Sequence, residues 1–242
     1  MKIAIASKGR PKFIAKNIVK DFILFVEPQD YNAYNELYDS EIVNIGYNNR
    51  GLAFVRNCIL DYMGKERFCI LDDDISGFFA KDEKGNIISV DFNSIIPYIE
   101  NLFSIGSVIS LAIQGRGWFF NTKEYDINRG KIGNSMFIDG GIIKKYNIRF
   151  DENIVQGEDT DFSLTCYKNG ISFISVKKYC IKCPPMGTKP NGCSMFRNKD
   201  RLIANKEYLE NKWGKIFKWK DENFLDYRVN WRLFYERCNS KL

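Results

Sequence analysis

The chain is 242 residues long, 45% hydrophobic and 15% aromatic, enough to bury one substantial core, and carries a formal charge of +6 with no histidine. The missing imidazole excludes Ser-His-Asp triads and His-rich metal sites, so proton transfer falls to carboxylates, Lys, Tyr, Cys or water. No apolar run reaches the roughly 18 residues that span a bilayer, and the opening residues read as a strand rather than a signal peptide, so the expectation is a soluble, cytoplasmic protein whose seven cysteines stay reduced.

Lys2-Ile3-Ala4-Ile5-Ala6 reads as a buried strand, with Ser7-Lys8-Gly9-Arg10-Pro11 as the polar loop at its end. Phe13 to Val19 is a predicted short helix, Phe22 to Val26 a second strand closed by Glu27-Pro28, and Ile42 to Ile45 a third. Asn49 to Tyr62 has helical spacing, with Leu52, Val55, Ile59 and Tyr62 on one face, and Arg67 to Leu71 is a fourth strand. Next come a turn over 82–85, a helix over 92–102, strands over 107–112 and 135–138, and a tight Asp139-Gly140-Gly141 loop. A helix over 159–169 ends at Gly170, a last strand covers 171–175, a Pro/Gly-rich loop covers 183–193, and helices over 197–211 and 223–238 finish the chain. Continuous apolar strands alternating with helices predict an α/β fold with a mostly parallel, doubly covered sheet, whose ligands bind at the carboxyl ends of the strands.

Two acidic motifs sit on this pattern, Leu71-Asp72-Asp73-Asp74 and Gly157-Glu158-Asp159-Thr160-Asp161, about 80 residues apart. Crowded carboxylates at a strand end repel one another unless a cation compensates them, so the first motif reads as a Mg²⁺ or Mn²⁺ site; the bland alternative is a turn or helix cap. The second reads as an acid/base or acceptor site. From Arg197 onward twelve Lys/Arg face seven Asp/Glu, a net charge of +5 that suggests a polyanionic partner. Lys215, Lys218 and Lys220 there interleave with Trp213, Phe217 and Trp219, as nucleic-acid binding requires; equally, those aromatics could pack on the core. Cys180-x-x-Cys183 with Cys193 lacks a fourth zinc ligand at suitable spacing and is read as reduced thiols.

Asn49-x-Gly51-x-x-x-x-Arg56-Asn57 ahead of Asp72-Asp73-Asp74, followed by Asp139-Gly140-Gly141 and Gly157-Glu158-Asp159-x-Asp161-Phe162, resembles nucleotide-sugar glycosyltransferases of the GT-A fold over roughly residues 1–180. A narrower likeness, through Ser7-x-Gly9-Arg10-Pro11, Glu27-Pro28 and Pro184-Pro185-Met186-Gly187-x-Lys189-Pro190, is to the TET-associated glycosyltransferases of bacteriophages, which are associated with sugar transfer to hydroxymethylated pyrimidines in DNA. The resemblance implies a Rossmann-like GT-A domain over 1–194 with a helical basic extension over 195–242 packed on it. It implies a UDP-sugar donor held by Ser7, Lys8, Arg10, Glu27, Arg56, Asp72, Asp73 and Lys189, and a Mn²⁺ or Mg²⁺ ion on Asp72 and Asp74 without the family's late histidine. Arg56 would hold the phosphates or merely offset the aspartates. Asp159 would be the general base, with Glu158 the other candidate; in a retaining reaction Asp159 would instead orient the acceptor. Asp139, Gly140, Asp161, Lys215, Lys218 and Trp219 would meet a DNA acceptor. The rival expectations are a GT-A transferase for a surface polysaccharide or protein, a nucleotidyltransferase, and a catalytically silent DNA-binding module.

Overall fold

The first four apolar segments form strands β1 (Lys2–Ala6), β2 (Phe22–Val26), β3 (Ile42–Asn44) and β4 (Arg67–Asp72) in a computed structural model that describes residues 1–114, 123–130, 132–184, 197–220, 222 and 226–239. They pair in parallel in the order β3-β2-β1-β4. Each is apolar throughout because both faces are covered: Ile3, Ile5, Leu24 and Leu71 pack into one core layer, while Ala4, Ile23, Phe25 and Ile70 pack into the other. In register, Ala6 lies between Phe25 and Asp72, so the strands stop together and present Ser7, Glu27 and the aspartates along one edge.

Helix α1 (Tyr31–Asn35) follows β2, and α2 (Leu52–Met63) precedes β4. The buried face of α2 carries Ala53, Val55, Arg56, Asn57, Ile59, Leu60 and Met63. Tyr62, expected inside, is 44% exposed. The expected helix over 13–19 is only a 3-10 turn at Ala15–Asn17, because the amides of Ile14 and Ala15 both donate to the Asp73 carbonyl and pin the loop to the acidic strand end.

After β4 a hairpin of β5 (Gly77–Lys81) and β6 (Ile87–Val90) brackets the expected 82–85 turn, and α3 (Phe92–Leu102) covers one face of the sheet. Then come β7 (Val108–Ile113), β8 (Tyr125–Ile127), β9 (Ser135–Asp139), α4 (Gly140–Lys145), α5 (Glu158–Lys168) and β10 (Phe173–Lys182). The ten-stranded sheet runs β3-β2-β1-β4-β9-β7-β10-β5-β6, with β8 beside β10.

Strand β9 is antiparallel to β4, pairing Arg67 with Asp139 and Leu71 with Ser135. This reversal corrects the placement of Asp139 and Gly140 at the acceptor. They lie at the amino end of β4, roughly 16 Å of extended chain from Asp72. There Asp139 caps α4 by accepting from the Ile142 amide and pairs with Arg67, while Gly140 packs so closely that a Cβ would stand 2.6 Å from the Gly64 and Glu66 carbonyl oxygens.

The carboxy-terminal segment comprises α6 (Lys199–Trp213), a hairpin of β11 (Phe217–Trp219) and β12 (Tyr227–Val229), and α7 (Trp231–Asn239). The expected helix from 223 therefore starts only at Trp231, because Phe217-Lys218-Trp219 and Tyr227-Arg228-Val229 alternate with period two and bury alternate side chains as strands do. Leu209, Ile216, Phe217 and Phe234 pack against Ile154 and Leu164 in a separate core. Asp161 sits at this seam, fully buried, with its carboxylate 2.9 Å from Lys212 Nζ and accepting from Trp213 Nε1 at 2.7 Å. That corrects its placement at the acceptor: it is the anchor that holds α6 to α5. Lys212→Met is expected to cost about 3 kcal/mol by leaving the buried carboxylate without its counter-charge; denaturant titration with hydrogen exchange in α6 and α7 checks it, and an unchanged midpoint would remove the anchor role.

Candidate active site

At the edge where β1 and β2 end, Tyr34 is the hub. Its hydroxyl lies 2.7 Å from Ser7 Oγ and accepts from the Arg10 amide at 3.0 Å, and burial pushes its phenol up to about 12. Ser7 Oγ donates to Asp73 at 2.6 Å, and Arg10 closes the ring on the other Asp73 oxygen at 3.0 Å. Asp73 is thus buried and fully engaged. Beside it, Lys8 bridges Glu27 at 2.8 Å and Asn49 at 2.6 Å, and Gln29 donates to Glu27 at 2.7 Å.

Arg56 joins the two acidic motifs. It is 1% exposed, with one guanidinium nitrogen 2.7 Å from Glu158 and another 3.4 Å from Asp72. The sequence left open whether it meets phosphates or offsets the aspartates; here it bridges these two carboxylates and lies over the Phe150 ring. Asp72 also accepts from Asn134 Nδ2 at 2.8 Å and is pushed up to about 7 by burial, with Arg56 pulling down and Asp74, Asp73 and Glu158 pushing up. Burial likewise raises Glu158, against the pull of Arg56.

Asp159 differs from its neighbour. It is partly exposed, sits in the first turn of α5, and accepts from the Thr160 amide at 2.6 Å. Its carboxylate abuts Gly133, where an added Cβ would stand 2.2 Å from Oδ2. Since the Asp72 amide donates to the Asn134 carbonyl at 2.8 Å, Gly133-Asn134 is the turn that separates the two carboxylates. Sequence reasoning missed this pair, although Gly-Asn is a recognisable turn dipeptide. It also missed Tyr227, whose hydroxyl donates to Thr160 Oγ1 at 2.8 Å and stands where a Gly157 Cβ would be, with Gly157 at φ +91°. Burial and the charge of Asp159 raise its phenol well above the usual range. A cavity of about 180 Å³ opens beside Glu158, with Arg50, Arg197 and Arg201 on its wall.

The donor set at the strand end suits a hard divalent cation: Asp72 and Asp74 would supply carboxylate oxygens, and burial first, then the neighbouring carboxylates, raise Asp72 in a way that such a cation would offset. Among the described residues no group of three Asp, Glu, Cys or His gathers to form a closed cage, so the remaining ligands would come from diphosphate and water. Cys180 packs with Ala112 inside β10, its thiol pushed up to about 12 by burial, which disfavours a zinc-binding thiolate. Lys189 and Cys193 lie outside the described residues. Lys215 and Lys218 are exposed, whereas Trp219 is partly buried against Phe217 and Tyr227 and donates to Glu210 at 3.1 Å.

A carboxyl held above its unfolded value binds its proton more tightly in the folded state, so folding loses stability as pH rises from about 4 to about 7. In metal-free buffer Asp72→Asn, a mimic of the protonated acid, is therefore expected to exceed the parent by about 2–4 kcal/mol near pH ~8 and to match it near pH ~4. Denaturant titrations at both pH values test this; a pH-independent difference would contradict it.

No helix among the described residues is long and apolar enough to cross a membrane. No curated protein matches the chain. Its fold is similar to that of S. aureus TarS residues 1–349, at 15% identity and a TM-score of 0.52 over 76% of this chain and 60% of that one. The same TarS fragment in complex with UDP-GlcNAc aligns at 14% identity and a TM-score of 0.53, covering 87% of this chain and 67% of that one. The chain thus spans 60% of the first of these structures, and identities this low establish a shared fold rather than a shared substrate. The sequence profile that matches residues 1–183 takes in both acidic motifs and the strands that carry them, and on that match the chain belongs to the TET-associated glycosyltransferase family.

Proposed function

We propose that the protein transfers a hexose, glucose, from a UDP-sugar to the hydroxymethyl oxygen of 5-hydroxymethylcytosine or 5-hydroxymethyluracil in DNA. The observation that carries this reading is the placement of Asp72 and the partly exposed Asp159 on either side of Gly133-Asn134, a diphosphate-side carboxylate facing a base-side carboxylate. UDP and UDP-GlcNAc are bound by the similarly folded TarS fragment, which favours a UDP-sugar here. Membership in the TET-associated family and the net charge of +5 after Arg197 favour a DNA acceptor.

Under this reading Ser7, Lys8, Arg10 and Glu27 line the nucleoside end, and Asp73 acts by fixing Arg10 and Ser7. A Mn²⁺ or Mg²⁺ ion held by Asp72 and Asp74 would neutralise the departing diphosphate. Arg56 and Glu158 form a buried pair that sets the position of α5, which leaves Asp159 as the base. The acceptor hydroxyl gives its proton to Asp159 while its oxygen bonds to the anomeric carbon. The bond from that carbon to the diphosphate oxygen breaks, and UDP leaves with the electron pair. A base within a duplex leaves the stack to reach this point.

Mass spectrometry of nucleosides tests the reading, after incubation of the protein, Mn²⁺ and a panel of UDP-sugars with hydroxymethylated or unmodified DNA. A hexose increment confined to the modified base is expected, abolished by Asp74→Asn and lowered about 10²–10⁴-fold by Asp159→Asn. UDP release without any increment would move the acceptor away from DNA. Gly133→Ala pushes the Asp159 carboxylate aside and strains a backbone at φ +156°, so it is expected to lower the melting temperature and, in the fraction still folded, kcat about 10²-fold; full activity in that variant would remove Asp159 from the base role.

A further inference from the structure

The hairpin β11–β12 has two faces with different work. Tyr227 points inward to Thr160 under the catalytic helix, and the next residue, Arg228, is exposed on the other side, as strand alternation dictates. Arg228 lies directly across from Lys218 in the ladder. Like charges directly opposed in an antiparallel pair destabilise the hairpin. The next charged pair along the hairpin shows the ordinary solution, since Lys220 faces Asp226 in an ion pair 2.5 Å long. Among the described residues none forms an ion pair with Lys218, Arg228 or Arg129.

These three cations line one open groove of about 670 Å³, together with Trp231, Tyr235 and Arg232. Arg232 is paired with Glu236, the one carboxylate on the groove wall among the described residues, at 2.8 Å. The groove runs along the flank of α7, from Trp231 past Tyr235 to Asn239. A row of unmatched cations beside partly exposed aromatic rings suits a linear polyanion with closely spaced phosphates better than a single small anion, and a nucleic-acid strand has that spacing.

We propose that the groove formed by Arg129, Lys218 and Arg228 against α7 seats the phosphate backbone of the DNA that carries the acceptor base. The proposal rests on the DNA-acceptor reading above and adds where the duplex docks: on the back of the hairpin whose front face seals the catalytic helix. Lys218 belongs to it, whereas Trp219, turned to the other face, does not.

The test is fluorescence anisotropy of a short labelled duplex containing 5-hydroxymethylcytosine, bound by the full chain across a salt titration. The charge reversals Arg129→Glu, Lys218→Glu and Arg228→Glu are compared with Lys145→Glu, an exposed control on α4 of the same net charge. Each groove reversal is expected to weaken binding about tenfold and to lower the salt slope by about one; the control changes affinity less than about twofold. Arg228→Glu is also expected to raise the melting temperature, because it replaces opposed like charges with an attractive pair. Gain of stability with loss of DNA affinity separates a ligand-binding role from a folding defect. Groove variants that bind like the control overturn the docking surface while leaving the DNA acceptor standing. A parent protein that releases UDP from the donor yet binds no duplex overturns both.

Discussion

The guanidinium of Arg56 is the charge on which the site depends. It comes from a helix that precedes one acidic motif, and it reaches the first residue of the helix that carries the other. Two carboxylates brought this close and this deep would repel each other; the buried cation offsets that repulsion and fixes their separation. Burial raises both acids even so, which shows that compensation is incomplete. Removing the cation would strand the buried Glu158 beside the half-buried Asp72, a loss of about 3 kcal/mol, the low end for a buried pair. The remaining imbalance is what a divalent ion and a diphosphate are suited to complete.

A second set of contacts fixes the same helix from behind. Asp161, two residues beyond Asp159, is tied to Lys212 and Trp213 of α6, and Thr160 between them accepts from Tyr227 of the hairpin. One turn of α5 therefore sends alternate carboxylates to different tasks: Glu158 to Arg56, Asp159 toward the open edge, Asp161 into the carboxy-terminal core. The segment from Arg197 onward thus braces the first turn of α5 directly. Their outer face, with its opposed Lys218 and Arg228, leaves charge unmatched where the inner face matches it.

The change of strand direction at β9 decides which residues the sheet brings to its acidic edge. Running antiparallel to β4, β9 begins beside Asp72 and carries Gly133-Asn134 into the site at its start instead of its end. The same reversal takes Asp139 and Gly140 to the opposite edge, where they cap α4 and brace it against the 64–66 turn.

The strands β1 to β4, the helix α2 and both acidic motifs were legible in the sequence, because continuous apolar runs and carboxylates at their ends are local patterns that burial and charge repulsion dictate. The family likeness followed from the spacing between those patterns. Strand direction leaves no such trace: β9 reads as five apolar-rich residues whichever way it runs, so the position of Asp139 could not be read from it. Nor could sequence distribute Glu158, Asp159 and Asp161 among their partners, since those partners, Arg56, Gly133 and Lys212, lie between 26 and 102 residues away along the chain. The period-two alternations of Phe217-Lys218-Trp219 and Tyr227-Arg228-Val229 span three residues each, too few for the pattern to set the second apart from the helix that follows it. The sequence alone determined which chemistry the chain carries, because residue type and local period are its own properties; which carboxylate faces the substrate, and which is buried as an anchor, was decided only when distant segments packed and matched their charges.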